Sequence, residues 1–88
     1  MKVTDLELDG IKLIEPRVFG DERGYFFESY NRAAFHQAGI DAEFVQDNQS
    51  CSSRGVVRGL HFQLPPHTQA KLIRVLSGRI YDVVVDIR

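Results

Sequence analysis

Short apolar runs, separated by glycine and proline, set the pattern of hydrophobic and polar positions in this chain. The runs are rich in Val, Ile, Phe and Tyr, which pack well on a pleated surface, and their lengths suit strands better than helices. We therefore predict strands at residues 11–14, 25–30, 44–46, 56–63, 71–76 and 79–87. Ser77 and Gly78 separate the last two runs and suit a two-residue hairpin turn.

One segment has the signals of a helix instead. Asn31 suits the N-cap, residues 32–38 favour helix propagation, and Gly39 suits the left-handed residue that often ends a helix. A chain of strands with one short helix is typical of an antiparallel sandwich or barrel, not of a doubly wound sheet. No glycine-rich motif of the Rossmann or P-loop type occurs.

The composition is that of a globular domain and narrows the classes of partner. The 88 residues are 43% hydrophobic and carry a formal net charge of −1, which argues against disorder and against a nucleic-acid partner. A single cysteine excludes a disulfide framework. Because no signal peptide or long apolar run is visible, we expect a single-domain cytoplasmic protein that contacts no membrane. A marginal core and an open edge on the last predicted strand favour a longer domain or an obligate oligomer.

The side chains best suited to catalysis or ligand binding lie between Gln46 and Arg74. His61 lies within an apolar run, where a histidine taken alone is more often a core residue than a functional one. Lys71 follows on the next predicted strand, and lysine is rarely buried without a function. Together the two residues suggest proton abstraction from a carbon next to a ketone, with the imidazole as base and the ammonium holding the enolate oxygen.

The spacing in this stretch resembles the metal-binding motif of the cupin barrels. Gly55 is followed by five residues and then His61, and Lys71 is followed by six residues and then Gly78. Gln63 and Lys71 stand where cupins carry two metal ligands, but an amide is a weak ligand and an ammonium repels a metal. We therefore predict a cupin-like barrel with no bound metal, in which Lys71 takes the metal's place as the group that polarises a carbonyl.

Arginines near glycines suggest an anion site. Arg23, Arg54, Arg58 and Arg74 suit the oxygen atoms of a phosphate, and a neighbouring glycine lets the backbone approach a ligand. For each arginine taken alone, a solvated or ion-paired side chain is the more common case.

Three stretches of the chain closely resemble the dTDP-4-dehydrorhamnose 3,5-epimerases of nucleotide-sugar biosynthesis. They are FGDERGYFFESYN (residues 19–31), FVQDNQSCSSRGVVRGLHFQ (44–63) and QAKLIRVLSGRIYDVVVDIR (69–88). They occur in the family's order and with family-like spacing, and they cover nearly the whole chain. The combination of QDN, RGLHFQ and QAKL is not a general barrel pattern, so the resemblance is specific.

The resemblance implies a cupin-type antiparallel jelly roll, of which residues 1–88 form the N-terminal and incomplete part. It implies a 4-keto-6-deoxyhexose linked to thymidine diphosphate as substrate, and no cofactor. By position, His61 is similar to the catalytic base and Lys71 to the residue at the C4 oxygen. The positions that bind substrate are Arg23, Glu28, Gln46, Asp47, Asn48, Arg58 and Lys71. In such homodimers the N-terminal strand of one subunit reaches its neighbour's site, so Arg23 and Glu28 would act in trans.

The resemblance also implies a second half of the chain, which supplies a tyrosine proton donor and an aspartate that pairs with the catalytic histidine. Neither has a counterpart in residues 1–88, so we expect no turnover by these residues alone. Two other interpretations stay open. One is a related nucleotide-deoxysugar epimerase or ketoisomerase, and the other is a truncated, inactive cupin that only binds a ligand or assembles.

Overall fold

The computed structural model describes all 88 residues and contains four strands and one helix. The chain forms two compact units, residues 1–41 with 81–88 (unit 1) and residues 42–80 (unit 2). The regular secondary structure lies in unit 1, as two antiparallel two-stranded sheets and the helix. The predicted class, mainly β with one short helix, is confirmed, while no complete jelly roll is formed.

The first hairpin joins β1 (Lys2–Asp5) to β2 (Lys12–Glu15). Val3 and Ile14 are cross-strand partners and are both half-buried, so they form the inner face of this hairpin. Gly10, with φ of +90°, supplies the left-handed residue of the connecting turn. Two ion pairs lie across the register, Lys12 with Asp5 and Lys2 with Glu15.

The second hairpin joins β3 (Val18–Asp21) to β4 (Gly24–Phe27) through a two-residue loop. Phe19 pairs with Phe26, so their side chains leave the same face of the hairpin. Tyr25 and Phe27 lie on the other face, where their rings stack with centroids 6.0 Å apart. Two of the six predicted strands, 11–14 and 25–30, therefore correspond to β2 and β4, while β1 and β3 were not predicted.

Helix α1 (Arg32–Gln37) is confirmed together with both of its caps. The Asn31 side-chain oxygen accepts a hydrogen bond from the Ala34 backbone N–H at 3.0 Å. At the other end, Gly39 has φ of +84°, and the backbone N–H groups of Gly39 and Ile40 donate to His36 and Phe35. These two bonds form a Schellman motif, in which a left-handed glycine satisfies the last helical carbonyls.

The core of unit 1 is small and is centred on Phe35. This side chain is 2% exposed, and it is the one fully buried hydrophobic side chain of the protein. Tyr30 contacts it edge to face, with ring centroids 4.8 Å apart. Edge-to-face pairs contribute about 0.5–1.5 kcal/mol beyond the area they bury, so this contact fixes α1 against the segment that precedes it.

Four of the predicted strands are not formed. Residues 44–46, 56–63, 71–76 and 79–87 contain no strand, and Ser77 and Gly78 form a bend without a hairpin. Outside the helix and strands, the backbone hydrogen bonds of unit 2 are two turns, from Val56 to Ser53 and from His67 to Leu64. A strand exists only when its N–H and C=O groups pair with a neighbour, and these apolar runs have no neighbour to pair with in this chain.

Arg88 makes the longest-range hydrogen bond in unit 1. Its Nη2 donates to the backbone carbonyl of Asp9 at 2.7 Å, across 79 residues of sequence. The same guanidinium donates to the Asp86 carboxylate, and this lowers the pKa of Asp86 to about 2. Residues 86 and 88 are thereby held at the turn between β1 and β2.

Candidate active site

The predicted site residues divide between the two units. Arg23 and Glu28 lie in unit 1, at the β3–β4 loop and just after β4. The others lie in unit 2 and are all exposed, namely Gln46, Asp47, Asn48, Arg58, His61 and Lys71.

Arg23 is held by Asp21 at the tip of the second hairpin. The Asp21 carboxylate accepts from the Arg23 backbone N–H at 2.9 Å, from Nε at 3.1 Å and from Nη2 at 2.6 Å. The guanidinium lowers the pKa of Asp21, and the carboxylate raises the pKa of Arg23. Since the Arg23 side chain is 87% exposed, its outer edge faces solvent and is available to an anion.

A cleft of about 310 Å³ lies in unit 1 beside Glu28. Phe19 and Phe26, which share one face of the second hairpin, form part of its wall, and Phe35 forms another part. The remaining lining residues are Met1, Pro16, Arg17, Glu28, Asn31 and Ala34. The cleft is thus lined mainly by apolar side chains, three of them aromatic, with three polar or charged residues, as small-molecule sites commonly are.

Arg17 and Glu28 bring opposite charges to this cleft without neutralising each other. The Arg17 guanidinium carbon lies 4.8 Å from the centre of the Phe19 ring, a cation–π contact that orients the side chain. Neither Arg17 nor Glu28 takes part in a hydrogen bond or ion pair within the protein. Their polar atoms are therefore free to bind a ligand.

In unit 2, the QDN segment and Arg58 have local contacts. Gln46 Nε2 lies 3.4 Å from Asn48 Oδ1, at the long end of hydrogen-bond distance. Arg58 Nη2 donates to the backbone carbonyl of Cys51 at 3.1 Å, which ties the arginine to the segment that follows QDN. The QDN segment and Arg58 therefore each have a local contact, and no hydrogen bond joins them to each other.

His61 and Lys71, the predicted base and oxyanion-binding residue, are both exposed. No hydrogen bond or ion pair joins them to each other or to other residues. Their pairing as base and cation stays a prediction. Their neighbours Leu60 and Phe62 are 74% and 67% exposed, so His61 is not a core histidine in this chain.

No group of three or more His, Cys, Asp or Glu side chains comes together in a way that could hold a metal ion. The six-residue α1 is the helix of this structure, and no helix has the length and hydropathy that crossing a bilayer requires.

Comparison with known proteins shows which protein family the chain resembles over almost its whole length. The family described as dTDP-4-dehydrorhamnose 3,5-epimerase matches residues 5–88. The protein of that name from Pseudomonas aeruginosa is 55% identical over the whole chain, which covers 49% of the relative. The one from Shigella flexneri is 53% identical with the same coverage. The one from Methanothermobacter thermautotrophicus is 57% identical over 92% of the chain and 43% of the relative.

This chain belongs to the dTDP-4-dehydrorhamnose 3,5-epimerase family, as the resemblance of its motifs indicated. It spans about half the length of the curated relatives it matches. The proteins of the family are isomerases by name.

Four residues of the site region were missed by the sequence prediction. Asp21, Arg17, Phe19 and Asn31 acquire their relation to Arg23 and Glu28 from the register of the second hairpin and the start of α1. The Asp21–Arg23 pair had a visible signal, because an aspartate two residues before an arginine in a tight turn suits such a bond. Arg17 directly precedes β3 and Phe19 lies in it, so their relation could be expected only once β3 is known to exist.

Proposed function

We propose that the protein containing this chain epimerises C3 and C5 of dTDP-4-dehydro-6-deoxy-D-glucose, as a step of dTDP-L-rhamnose biosynthesis. The observation that carries this proposal is the match of residues 5–88 to the epimerase family, at about half identity to several relatives over the full chain. The reaction needs no cofactor, because both carbons are next to the C4 ketone and their protons are acidic enough for a general base.

His61 acts as the base in this proposal. Its neutral imidazole takes the proton from C3 or C5, and the C–H electron pair moves to the C4 oxygen to give an enolate. The Lys71 ammonium stabilises that oxyanion. Return of a proton to the opposite face of the same carbon inverts it and leaves the ketone unchanged. The family resemblance assigns this second proton to a tyrosine outside residues 1–88.

The charged part of the substrate is bound by arginines. Arg58 and Arg23 suit the diphosphate, since a guanidinium donates in parallel to two phosphate oxygens. The bond of Arg23 to Asp21 supports this role, because a guanidinium that is already oriented loses less entropy on binding. Gln46, Asp47, Asn48 and Glu28 supply the remaining polar contacts to the nucleotide sugar.

We further propose a homodimer, in the cytoplasm, whose subunits exchange N-terminal strands. Each two-stranded sheet of unit 1 has two free edges, and free edges pair readily with another chain. In such a dimer Arg23 and Glu28 complete the partner's site. Residues 1–88 then form the N-terminal part of one cupin-like domain.

Solvent deuterium exchange tests the function. The chain is joined to the second half of the Escherichia coli relative, which is 52% identical over the matched part, and is incubated with the keto sugar in D₂O. We expect deuterium at both C3 and C5 by NMR, and none with residues 1–88 alone. Exchange at one carbon would favour a related single epimerase or ketoisomerase. Binding without exchange would favour a ligand-binding cupin and contradict the proposal.

A further inference from the structure

We propose that Asp21 is a positioning residue, which fixes the Arg23 guanidinium so that the diphosphate meets its terminal edge, formed by Nη1 and Nη2, and not its Nε side. The inference rests on the proposed function, which assigns the diphosphate to Arg23 and Arg58. It adds a residue that does not itself touch the substrate. It also adds a direction of approach that a freely rotating arginine would not impose.

Asp21 holds Arg23 with both of its carboxylate oxygens. Oδ1 accepts from the Arg23 backbone N–H at 2.9 Å, which closes the loop between β3 and β4. Oδ2 accepts from Nε at 3.1 Å and from Nη2 at 2.6 Å. Because one carboxylate binds the backbone and the guanidinium of the same residue, the Arg23 side chain is oriented even though it is 87% exposed.

The bonds to Oδ2 decide which donors of Arg23 remain for a ligand. Nε has a single N–H, which donates to Asp21, and Nη2 donates one of its two N–H groups there. Both N–H groups of Nη1 and the second one of Nη2 have no partner within the protein. A guanidinium can donate to two phosphate oxygens in parallel through either edge. Since Asp21 occupies the Nε edge, the diphosphate approaches Arg23 end-on.

The negative charge of Asp21 opposes an anion, but more weakly than orientation favours it. The side-chain hydrogen bonds from Arg23 lower the pKa of Asp21, so its carboxylate is ionised at neutral pH. Asp21 and Glu22 are exposed at the tip of the hairpin, where water and salt screen their repulsion of a phosphate. Immobilising a flexible arginine on binding has an entropic cost that screening does not reduce. Loss of the Asp21 charge is therefore expected to weaken diphosphate binding.

Calorimetric binding of thymidine diphosphate to the joined chain used for deuterium exchange tests this expectation. Asp21→Asn keeps one acceptor oxygen, so it can bind the Arg23 backbone N–H or the guanidinium but not both. It is expected to weaken binding about three- to tenfold, the range for immobilising one flexible side chain. Glu22→Gln is the matched control, because it removes the same charge from the adjacent residue, which has no bond within the protein. It should bind as tightly as the parent or more tightly.

Two further measurements separate orientation from folding. In an Arg23→Met background Asp21→Asn should weaken binding no further, whereas a variant that disrupts the hairpin would weaken it there as well. NMR of the ¹⁵N-arginine-labelled parent shows which edge of Arg23 is used. The Nε–H of Arg23 should be protected from exchange with water, and it should stay protected at saturation with inorganic diphosphate while the Nη signals shift. Asp21→Asn should lose this protection before any ligand is added.

The proposal is overturned if diphosphate removes the protection of the Nε–H in the parent, since the anion would then displace Asp21. It is also overturned if Asp21→Asn binds as tightly as Glu22→Gln, or if it weakens binding equally with and without the Arg23 guanidinium. The proposed function is judged separately by deuterium exchange. Exchange with unchanged affinity in Asp21→Asn rejects this inference alone. A protected Nε–H and weakened binding in a chain that does not exchange reject the epimerase alone.

Discussion

Single side chains carry the chemistry proposed for this protein, and His61 and Lys71 are the most direct to test. In the chain joined to a relative's second half, His61→Ala is expected to lower exchange at both carbons by about 10²–10⁴-fold, because one base serves both. Lys71→Met keeps the stem without the charge and is expected to cost about 10²–10³-fold, as for loss of one oxyanion-binding group. Deuterium incorporation by NMR measures both.

His67→Ala is the matched control for His61→Ala, since His67 is another exposed histidine of unit 2. It should retain the parent exchange rate. Arg58→Ala should instead weaken thymidine diphosphate in calorimetry. Exchange near the parent rate in His61→Ala would remove His61 from the mechanism.

The pKa of the Asp86 carboxylate provides a test of its contact with Arg88. Its pKa is lowered from 3.8 to about 2, first by the side-chain hydrogen bond from Arg88. Because the folded pKa is depressed, the contribution of this group to stability is present above the unfolded pKa and is lost as the pH falls through the folded value. Arg88→Met should raise the Asp86 midpoint toward 3.8 in a ¹³C-carboxyl titration, and Arg79→Met should leave it low. A midpoint that is the same with and without Arg88 would contradict the contact.

At the scale of elements, the stability of α1 depends on the glycine that follows its C-terminus. Gly39 has φ of +84°, which an L-residue with a β-carbon adopts with strain. Gly39→Ala is expected to destabilise the helix by about 1 kcal/mol, and Gly39→Asn by less, since Asn tolerates this conformation. Amide hydrogen exchange at Gln37, Ala38 and Ile40 measures the change. Equal protection in the alanine and asparagine variants would argue against the Schellman geometry.

The helix and the strands also show which elements can be predicted from a sequence pattern. Helix α1 was predicted with both caps because capping is local, and Asn31 and Gly39 act within a few residues. Strands β1 and β3 were missed because neither has a clear alternation, and each is defined by the hairpin partner that follows it. The runs at 56–63 and 71–76 have the composition of strands but lack a neighbouring strand to pair with. Composition alone therefore predicted strands that the structure does not contain.

The same limit applies to the site. The RGLHFQ and QDN motifs marked their residues from sequence, because residue type and spacing carried the resemblance. The cleft could not be predicted in this way. It forms because Phe19 and Phe26 are cross-strand partners, and the sequence did not reveal the register that pairs them.

At the scale of the whole molecule, the apolar surface is the dominant feature. Val45, Val57 and Tyr81 are each more than 90% exposed, and further large apolar side chains are more than half exposed. Surface of this extent is normally covered by another part of the protein or by a partner. We expect association, and sedimentation velocity over a micromolar concentration series should show a species of at least two chains. A stable, folded monomer throughout the series would contradict the proposed dimer.

The bond from Arg88 to the Asp9 carbonyl has a consequence for the order of events in folding. The two hairpins and α1 close within a few residues, whereas this bond closes a loop of 79 residues and carries a larger entropic cost. Contacts of that kind form after the transition state when nearby structure forms first. Loss of the Arg88 side chain would then accelerate unfolding and leave the refolding rate almost unchanged. The lifetime of unit 1, more than the speed at which it forms, would depend on its last residue.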